Sequence, residues 1–294
     1  MINVLYVGNL NKGYKGLKEL LSLETPKGIR VKAVISRQPK PDEEWNESVS
    51  SMAEVMRSKY HYFPKDVNNE QFCEVLKDTQ DFDIGLSNGS GGQLYKPRFF
   101  EIPKWGFLNI HFSLLPEYRG AYPVPHAVMN DEKWHGVTLH RISKGMDTGA
   151  ILRQEEVPIF EADTGRDVYL RCEHMAVKLI RGFFGQVNLD IEEELLRARE
   201  QKHISTDTTY RKADLDTSGL QAPLSQGSRK LYNFVRAWDF PEYKNPAWIV
   251  VNGEKIFLTT VPLEYGMEHG ECRYLTYKDY KIFMIPEKVF NERN

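Results

Sequence analysis

Apolar positions along the chain gather into short unbroken runs separated by stretches with helical spacing. INVLYVG ends on Gly8, YKGLKELLSL follows with apolar residues at helical intervals, and RVKAVIS is a second strand-length run. Strand, turn, helix and strand in this order predict a βαβ unit and a parallel, doubly wound sheet. NNEQFCEVLKDT then has helical spacing, DIGLS reads as a short strand leading into the glycine-rich NGSGG, and WGFLNIHF reads as a buried strand. PVPHAVMN predicts a short helix, HGVTLHRI a second strand, and EADTGRDVYLRCEHMAVKLIRGFFGQV a long helix that Thr164 caps. Near residue 205 the sequence turns polar, which divides it into residues 1–204 and 205–294. Beyond it come a helical stripe through Leu231, Phe234 and Val235, a hairpin signal at Asn252-Gly253 between two apolar runs, and two further strands in ECRYLTYKDYKIFMI. The pattern predicts an α/β domain with a mostly parallel sheet, followed by a small β-rich domain.

Two polar residues break the apolar run WGFLNIHF. Asn109 and His111 are two apart, so in an extended chain their side chains emerge on one face. The loop SLLPEYRGAYP follows, and KGMDTGA sets glycines on both sides of Asp147. An amide, an imidazole and a carboxylate at strand ends beside a flexible loop suit acyl-type transfer to an amine. Asn109 would donate to the oxygen on which negative charge grows, a cationic His111 would add a second donor, and Asp147 would move protons. A carboxylate near His111 would favour the imidazolium. Arg119 offers a fork of donors to a loop carbonyl or an anionic substrate. The residues alone leave another reading open, in which each is a satisfied polar group of an ordinary strand or turn.

Composition narrows the classes. A chain of 294 residues with 41% hydrophobic and 27% charged residues is long enough for one large domain and a smaller one, and describes a soluble globular protein. Cys73, Cys172 and Cys272 are odd in number and far apart, which argues against a disulfide framework or zinc cluster and for a reducing, cytoplasmic compartment. MINVLYVGNL lacks the features of a signal peptide, and no apolar run reaches the ~18 residues of a membrane span. A net charge of −2 gives no reason to expect a polyanion. The turn GNLNKG lacks the G-x-G-x-x-G spacing of a dinucleotide site. RQPKPDEEWNESVSS reads as a surface loop before the helix SSMAEVMRSKY. Tyr232, Trp238, Phe240, Tyr243 and Trp248 suit either stacking on a flat ring or the core of a small β domain.

NIHFSLLPEYRGAYP, then GVTLHRI, then MDTGAIL, resembles the ordered signature of the folate-dependent formyltransferase family over about the first two-thirds of the chain. The resemblance implies a Rossmann-like formyltransferase domain that moves a formyl group from N10-formyltetrahydrofolate to an amine, without a metal. The family's catalytic set falls on Asn109, His111 and Asp147. The resemblance further implies that Asn88, Gly89, Ser90 and Gly91 line the folate pocket and that the segment of Gly145, Met146, Thr148 and Gly149 wraps the pterin ring. Ser113, Leu115, Arg119, Tyr122, Tyr210, Lys212 and Trp238 are expected to face the acceptor. His126, His135 and His140 have no signature role and are expected to be structural.

Three phrases, DTGRDVYLRC, MNDEKWHGVTLH and TYRKADLD, resemble the branch that formylates nucleotide-linked amino sugars. Where the Met-tRNA branch carries a basic, glycine-rich insertion, this chain has Asp42, Glu43, Glu44 and Glu47, which would repel a phosphate backbone. RAWDFPEYKNPAWIVVNGEKIFL resembles the family's C-terminal segment, with a role in homodimer formation as one expectation. The expected acceptor is a dTDP- or UDP-linked amino sugar, with neither nucleic acid nor membrane as partner. Met-tRNA or a small amine such as hydroxyornithine is the alternative acceptor. A silent folate-binding scaffold is disfavoured because all three catalytic residues are present.

Overall fold

The computed structural model describes residues 1–38, 49, 60–79, 81–90, 92–186, 188–202, 209–210, 221–241, 246–268 and 272–293. Its chain forms two compact units. One comprises Met1–Arg119, Gly136–Glu156 and Cys172–Asp207, and the other Gly120–His135, Val157–Arg171 and Thr208–Asn294. The second unit thus takes in two segments that precede residue 205.

The first unit opens with β1 (Ile2–Gly8), α1 (Leu10–Lys27) and β2 (Ile29–Ile35), the expected βαβ unit. The helix starts earlier than the pattern suggested, because Leu10 to Gly13 of the GNLNKG turn already form its first turn, with Gly13 N–H donating to the Asn9 carbonyl at 3.1 Å. Gly28, at φ 69°, ends the helix in the left-handed conformation that glycine adopts without strain. There follow β3 (Tyr60–Tyr62), α2 (Glu70–Thr79), β4 (Ile84–Asn88), α3 (Pro97–Phe100), β5 (Phe107–His111), α4 (Pro123–Met129), β6 (Trp134–Arg141), β7 (Ile151–Pro158), α5 (Gly165–Phe184) and α6 (Ile191–Leu196). The expected helix SSMAEVMRSKY lies outside the described residues except for its last residue, Tyr60, which opens β3, and the acidic residues 42–47 lie outside them as well.

Seven strands form one sheet in the order β3-β2-β1-β4-β5-β6-β7. Pairing from β3 through β5 is parallel, and β5 meets β6 antiparallel, so the sheet is mostly parallel as expected. Parallel strands are covered on both faces, which is why β1 is a continuous apolar run with Val4 to Val7 buried. The apolar core beside it joins Leu5, Val7, Ala33 and Ile35 to Leu76 of α2 and the rings of Phe99 and Phe107. Lys15 and Glu19 on α1 pair with Glu173 and Arg181 of α5.

In the second unit α7 (Ser228–Ala237) precedes a four-stranded antiparallel sheet of order β10-β11-β9-β8, built from β8 (Ala247–Val251), β9 (Glu254–Thr259), β10 (Arg273–Tyr277) and β11 (Tyr280–Pro286), and α8 (Glu287–Arg293) follows. Asn252 and Gly253, at φ 52° and 85°, make the tight β8–β9 turn that the dipeptide predicts. Thr164 caps α5 as expected, in a box with Asp167. Arg236 of α7 is 1% exposed and donates to the carbonyls of Phe160 and Asp163 at 3.1 and 2.8 Å, while Gly165 leaves no room for a Cβ against the Ala237 carbonyl.

Asp239 is fully buried beyond α7, where its Oδ2 accepts from the amide and hydroxyl of Thr260 at 2.7 and 2.6 Å, and its Oδ1 has no hydrogen-bond partner among the described residues. Burial pushes its carboxyl up from 3.8 to about 6. The folded state therefore holds a proton that the unfolded chain has already lost, so this group's contribution to stability falls as pH rises from 3.8 to about 6 and levels off above. Urea unfolding of Asp239→Asn and the unaltered protein at pH 4, 5, 6 and 7 is expected to show the variant gaining relative stability across that window, on the order of 2–3 kcal/mol.

Candidate active site

The β5–β6 register assembles the site. Asn109 is opposite His140 and His111 is opposite Thr138, and directly opposed residues of an antiparallel pair project from the same face. Four polar side chains therefore share one side of two adjacent strands. Asn109 Nδ2 lies 3.1 Å from His140 Nε2, and His140 Nδ1 lies 2.8 Å from the Arg141 carbonyl. A carbonyl can only accept, so Nδ1 carries the proton and Nε2 offers its lone pair to the Asn109 amide. That bond takes one N–H of Asn109 and leaves the amide a second.

Asp147 stands in the turn between β6 and β7 at φ 51°, a left-handed conformation that costs a non-glycine residue roughly 1 kcal/mol or more. Its Oδ2 is 3.5 Å from His111 Nδ1 and its Oδ1 is 3.5 Å from His140 Nε2. The three expected residues are thus brought together. His140 belongs with them, contrary to the expectation of a purely structural histidine. The alternation in HGVTLHRI carried that signal, because an antiparallel partner to WGFLNIHF places His140 across from Asn109.

His111 is 7% exposed, and its Nε2–H donates to the Tyr118 carbonyl at 2.8 Å. Burial moves its pKa below the ordinary histidine value, outweighing Asp147, which acts in the opposite direction. The expected cationic His111 is corrected accordingly. The carboxylate is beside it, but desolvation of the imidazolium costs more than that neighbour returns, and the ring rests neutral with its Nδ1 lone pair toward Asp147. Lys12 holds its ammonium 4.7 Å from the centre of the Phe112 ring. Burial lowers its pKa, with Glu173 and Asp147 among the charges opposing the shift.

The loop after β5 is fixed by Thr138. Its hydroxyl donates to the Ser113 carbonyl at 2.6 Å and accepts from Leu115 N–H at 3.2 Å, and Gln154 Nε2 donates both to that hydroxyl and to the Leu115 carbonyl at 2.9 Å. Ser113 is fully buried and donates to the Glu117 carbonyl, and Leu115 is 3% exposed, so both are held inside the loop. Gly136 is required here, since a Cβ would stand 2.4 Å from both Leu114 Cδ2 and the Glu155 carbonyl. Arg119 commits Nε and Nη2 to Gln201 Oε1 at 3.1 and 2.6 Å.

Asn88 and Gly89 are tied to the start of α1. Asn88 Nδ2 donates to the Lys12 carbonyl at 2.7 Å, and Asn9 Nδ2 donates to the Gly89 carbonyl at 2.6 Å. Gly89 has φ 103°, Ser90 follows it half-buried, and Gly91 lies outside the described residues. Gly145 and Met146 border the Asp147 turn, Thr148 bonds to Ser143 at 2.8 Å, and a Cβ on Gly149 would stand 1.9 Å from the Arg141 carbonyl.

Three of the residues expected to face an acceptor lie in the second unit. Tyr210 stacks on His126, with centroids 3.6 Å apart and planes 13° apart, and its carbonyl accepts from Ala121 N–H at 2.7 Å. Tyr122 is 39% exposed and meets the ring of Trp238 edge-on at 5.6 Å, and Trp238 Nε1–H donates to Met129 Sδ. Lys212 lies outside the described residues. Among the described residues no group of three or more His, Cys, Asp or Glu could hold a metal ion, and no helix is long and apolar enough to cross a membrane.

A family model described as Formyl transferase matches residues 4–181. The methionyl-tRNA formyltransferase of Thermotoga neapolitana is 30% identical over 224 residues, which cover 75% of this chain and 69% of that protein. In fold, the chain is similar to an N-formyltransferase of Helicobacter canadensis crystallised with folinic acid and dTDP-3-aminofucose, at TM-score 0.64 and 22% identity over 97% of this chain and 100% of that one. A sugar N-formyltransferase from a Shewanella species gives TM-score 0.66 and 19% identity over 88% of this chain and 97% of that one.

Imidazole ¹⁵N spectra at pH 7 are expected to show His111 as a neutral ring protonated on Nε2, and a proton on Nδ1 of His140 held by the Arg141 carbonyl. In Asp147→Asn the His111 pKa is expected to fall further, because the carboxylate that raises it is gone.

Proposed function

The chain belongs to the formyl transferase family and is an N10-formyltetrahydrofolate-dependent formyltransferase, and from this premise we propose that its acceptor is the amino group of a nucleotide-linked sugar. The observation that carries the acceptor is the exposed ring of Tyr122, which is braced edge-on by the buried Trp238, together with the half-buried Tyr210 stacked on the buried His126; Tyr122 and Tyr210 offer flat surface of the kind a nucleotide base stacks on. The acidic residues 42–47 and the net charge of −2 also favour a small nucleotide over tRNA. Methionyl-tRNA is the second reading, favoured by the name of the Thermotoga relative.

The formyl donor supplies the one-carbon unit, and the side chains of the site manage charge and protons around it. The second N–H of Asn109, aimed by His140, meets the oxygen on which negative charge grows when the amine attacks. The neutral His111 and Asp147 face each other at 3.5 Å as a pair ready to take a proton. The attacking nitrogen gives up its proton to that pair, and the pair returns one to the departing folate nitrogen. While the proton is held there His111 is cationic, which adds to the stabilisation of the developing oxyanion. The Asn88–Ser90 loop and the turn carrying Gly145, Met146, Thr148 and Gly149 are the proposed folate contacts, and Ser113 and Leu115 support the acceptor loop from inside.

Asn109→Ala is expected to lower kcat by roughly 10²–10³ and Asp147→Asn by a comparable factor, with circular dichroism unchanged. Normal turnover in either variant would remove that residue from the mechanism. In a mass-spectrometric screen, the protein is expected to formylate a dTDP- or UDP-linked amino sugar and to leave Met-tRNA unmodified, and comparable formylation of Met-tRNA would reverse the assignment. Tyr122→Ala is expected to raise the acceptor KM roughly tenfold with the folate KM unchanged.

A further inference from the structure

The Asp147 turn is held by a residue with no place in the sequence signature. Arg199 and Ile151 form an isolated antiparallel bridge, exchanging backbone hydrogen bonds of 2.7 and 2.8 Å, so the chain beyond α6 runs back along the start of β7. Counting two residues each way in that register brings Gln201 opposite Gly149. Gln201 Nε2 donates to the carbonyls of Asp147 and Gly149 at 2.7 and 2.8 Å, and its Oε1 accepts both Arg119 bonds. One side-chain amide therefore joins the backbone of the carboxylate turn to the guanidinium of the loop after β5.

We propose that Gln201 is a positioning residue, which locks the Asp147 peptide in its left-handed conformation so that the carboxylate faces His111 and His140. This rests on the reading of Asp147 as the group that handles protons. The turn needs outside support, because Asp147 holds a positive φ without being glycine. An amide is the head group that fits, since it presents donors to two carbonyls and an acceptor to a cation at once. Glutamate keeps the acceptor toward Arg119 but sets an oxygen against the two carbonyls, and leucine removes both functions.

The test compares the full-length protein with Gln201→Glu and Gln201→Leu by hydrogen exchange and by steady-state formyl transfer. Exchange in peptides covering residues 142–150 is expected to rise roughly fivefold or more in both variants while the rest of the first unit keeps its protection. Turnover is expected to fall roughly 10- to 100-fold with both KM values within about twofold, the pattern of a misplaced group rather than a lost contact. Unchanged exchange in the turn, a uniform rise across the whole unit, or wild-type kcat despite a loosened turn would each overturn the proposal. Asp147→Asn measured in parallel separates the two readings. If that variant keeps full activity, the role given to Asp147 fails, and the exchange data still decide whether Gln201 fixes the turn.

Discussion

The site depends on the hydrogen-bonded register between β5 and β6. With Asn109 across from His140 and His111 across from Thr138, an amide, two imidazoles and a hydroxyl project to one side. A slip of β6 by one residue would turn His140 and Thr138 to the opposite face and bring Leu139 forward beside Asn109 and His111. The antiparallel pairing comes where the described sheet abandons its parallel run, so the change of direction and the gathering of these polar groups are the same structural event. Thr138 then carries the register into the following loop, because the hydroxyl opposite His111 also fixes the backbone of Ser113 and Leu115.

Charge in the site is governed by burial more than by pairing. His111 and Lys12 both have their pKa values lowered although carboxylates lie nearby. Burial of this kind disfavours the charged form of each group and strengthens every electrostatic interaction beside it. The bond from Nε2 to the Tyr118 carbonyl fixes the His111 ring and leaves Nδ1 as the nitrogen that faces Asp147.

Much of this was legible in the sequence where one physical rule acts locally. The first βαβ unit follows from apolar runs, the β8–β9 turn from Asn252-Gly253, the cap of α5 from Thr164, and the meeting of Asn109, His111 and Asp147 from a signature anchored on backbone-restricting residues such as Gly136 and Gly149. What stayed hidden depended on distant parts of the chain meeting. His140 becomes a site residue through cross-strand register, Gln201 through a two-residue bridge to β7, and the neutrality of His111 through burial that no local pattern reports. The early start of α1 is hidden because two glycines and two asparagines look like a loop, whereas Gly8 and Gly13 are so close that a Cβ on Gly13 would stand 2.6 Å from the Gly8 carbonyl carbon.

The composition of the second unit bears on how such a protein can be altered by recombination. Its segments Gly120–His135 and Val157–Arg171 are encoded amid the sheet that carries the reacting groups, and the buried guanidinium of Arg236 is satisfied by carbonyls from the second of them. A crossover made after residue 204 would transplant the tail while leaving behind the carbonyls that accept the hydrogen bonds of its buried guanidinium. The second unit is therefore inherited as three interleaved pieces, and exchanging it between relatives calls for moving all three together.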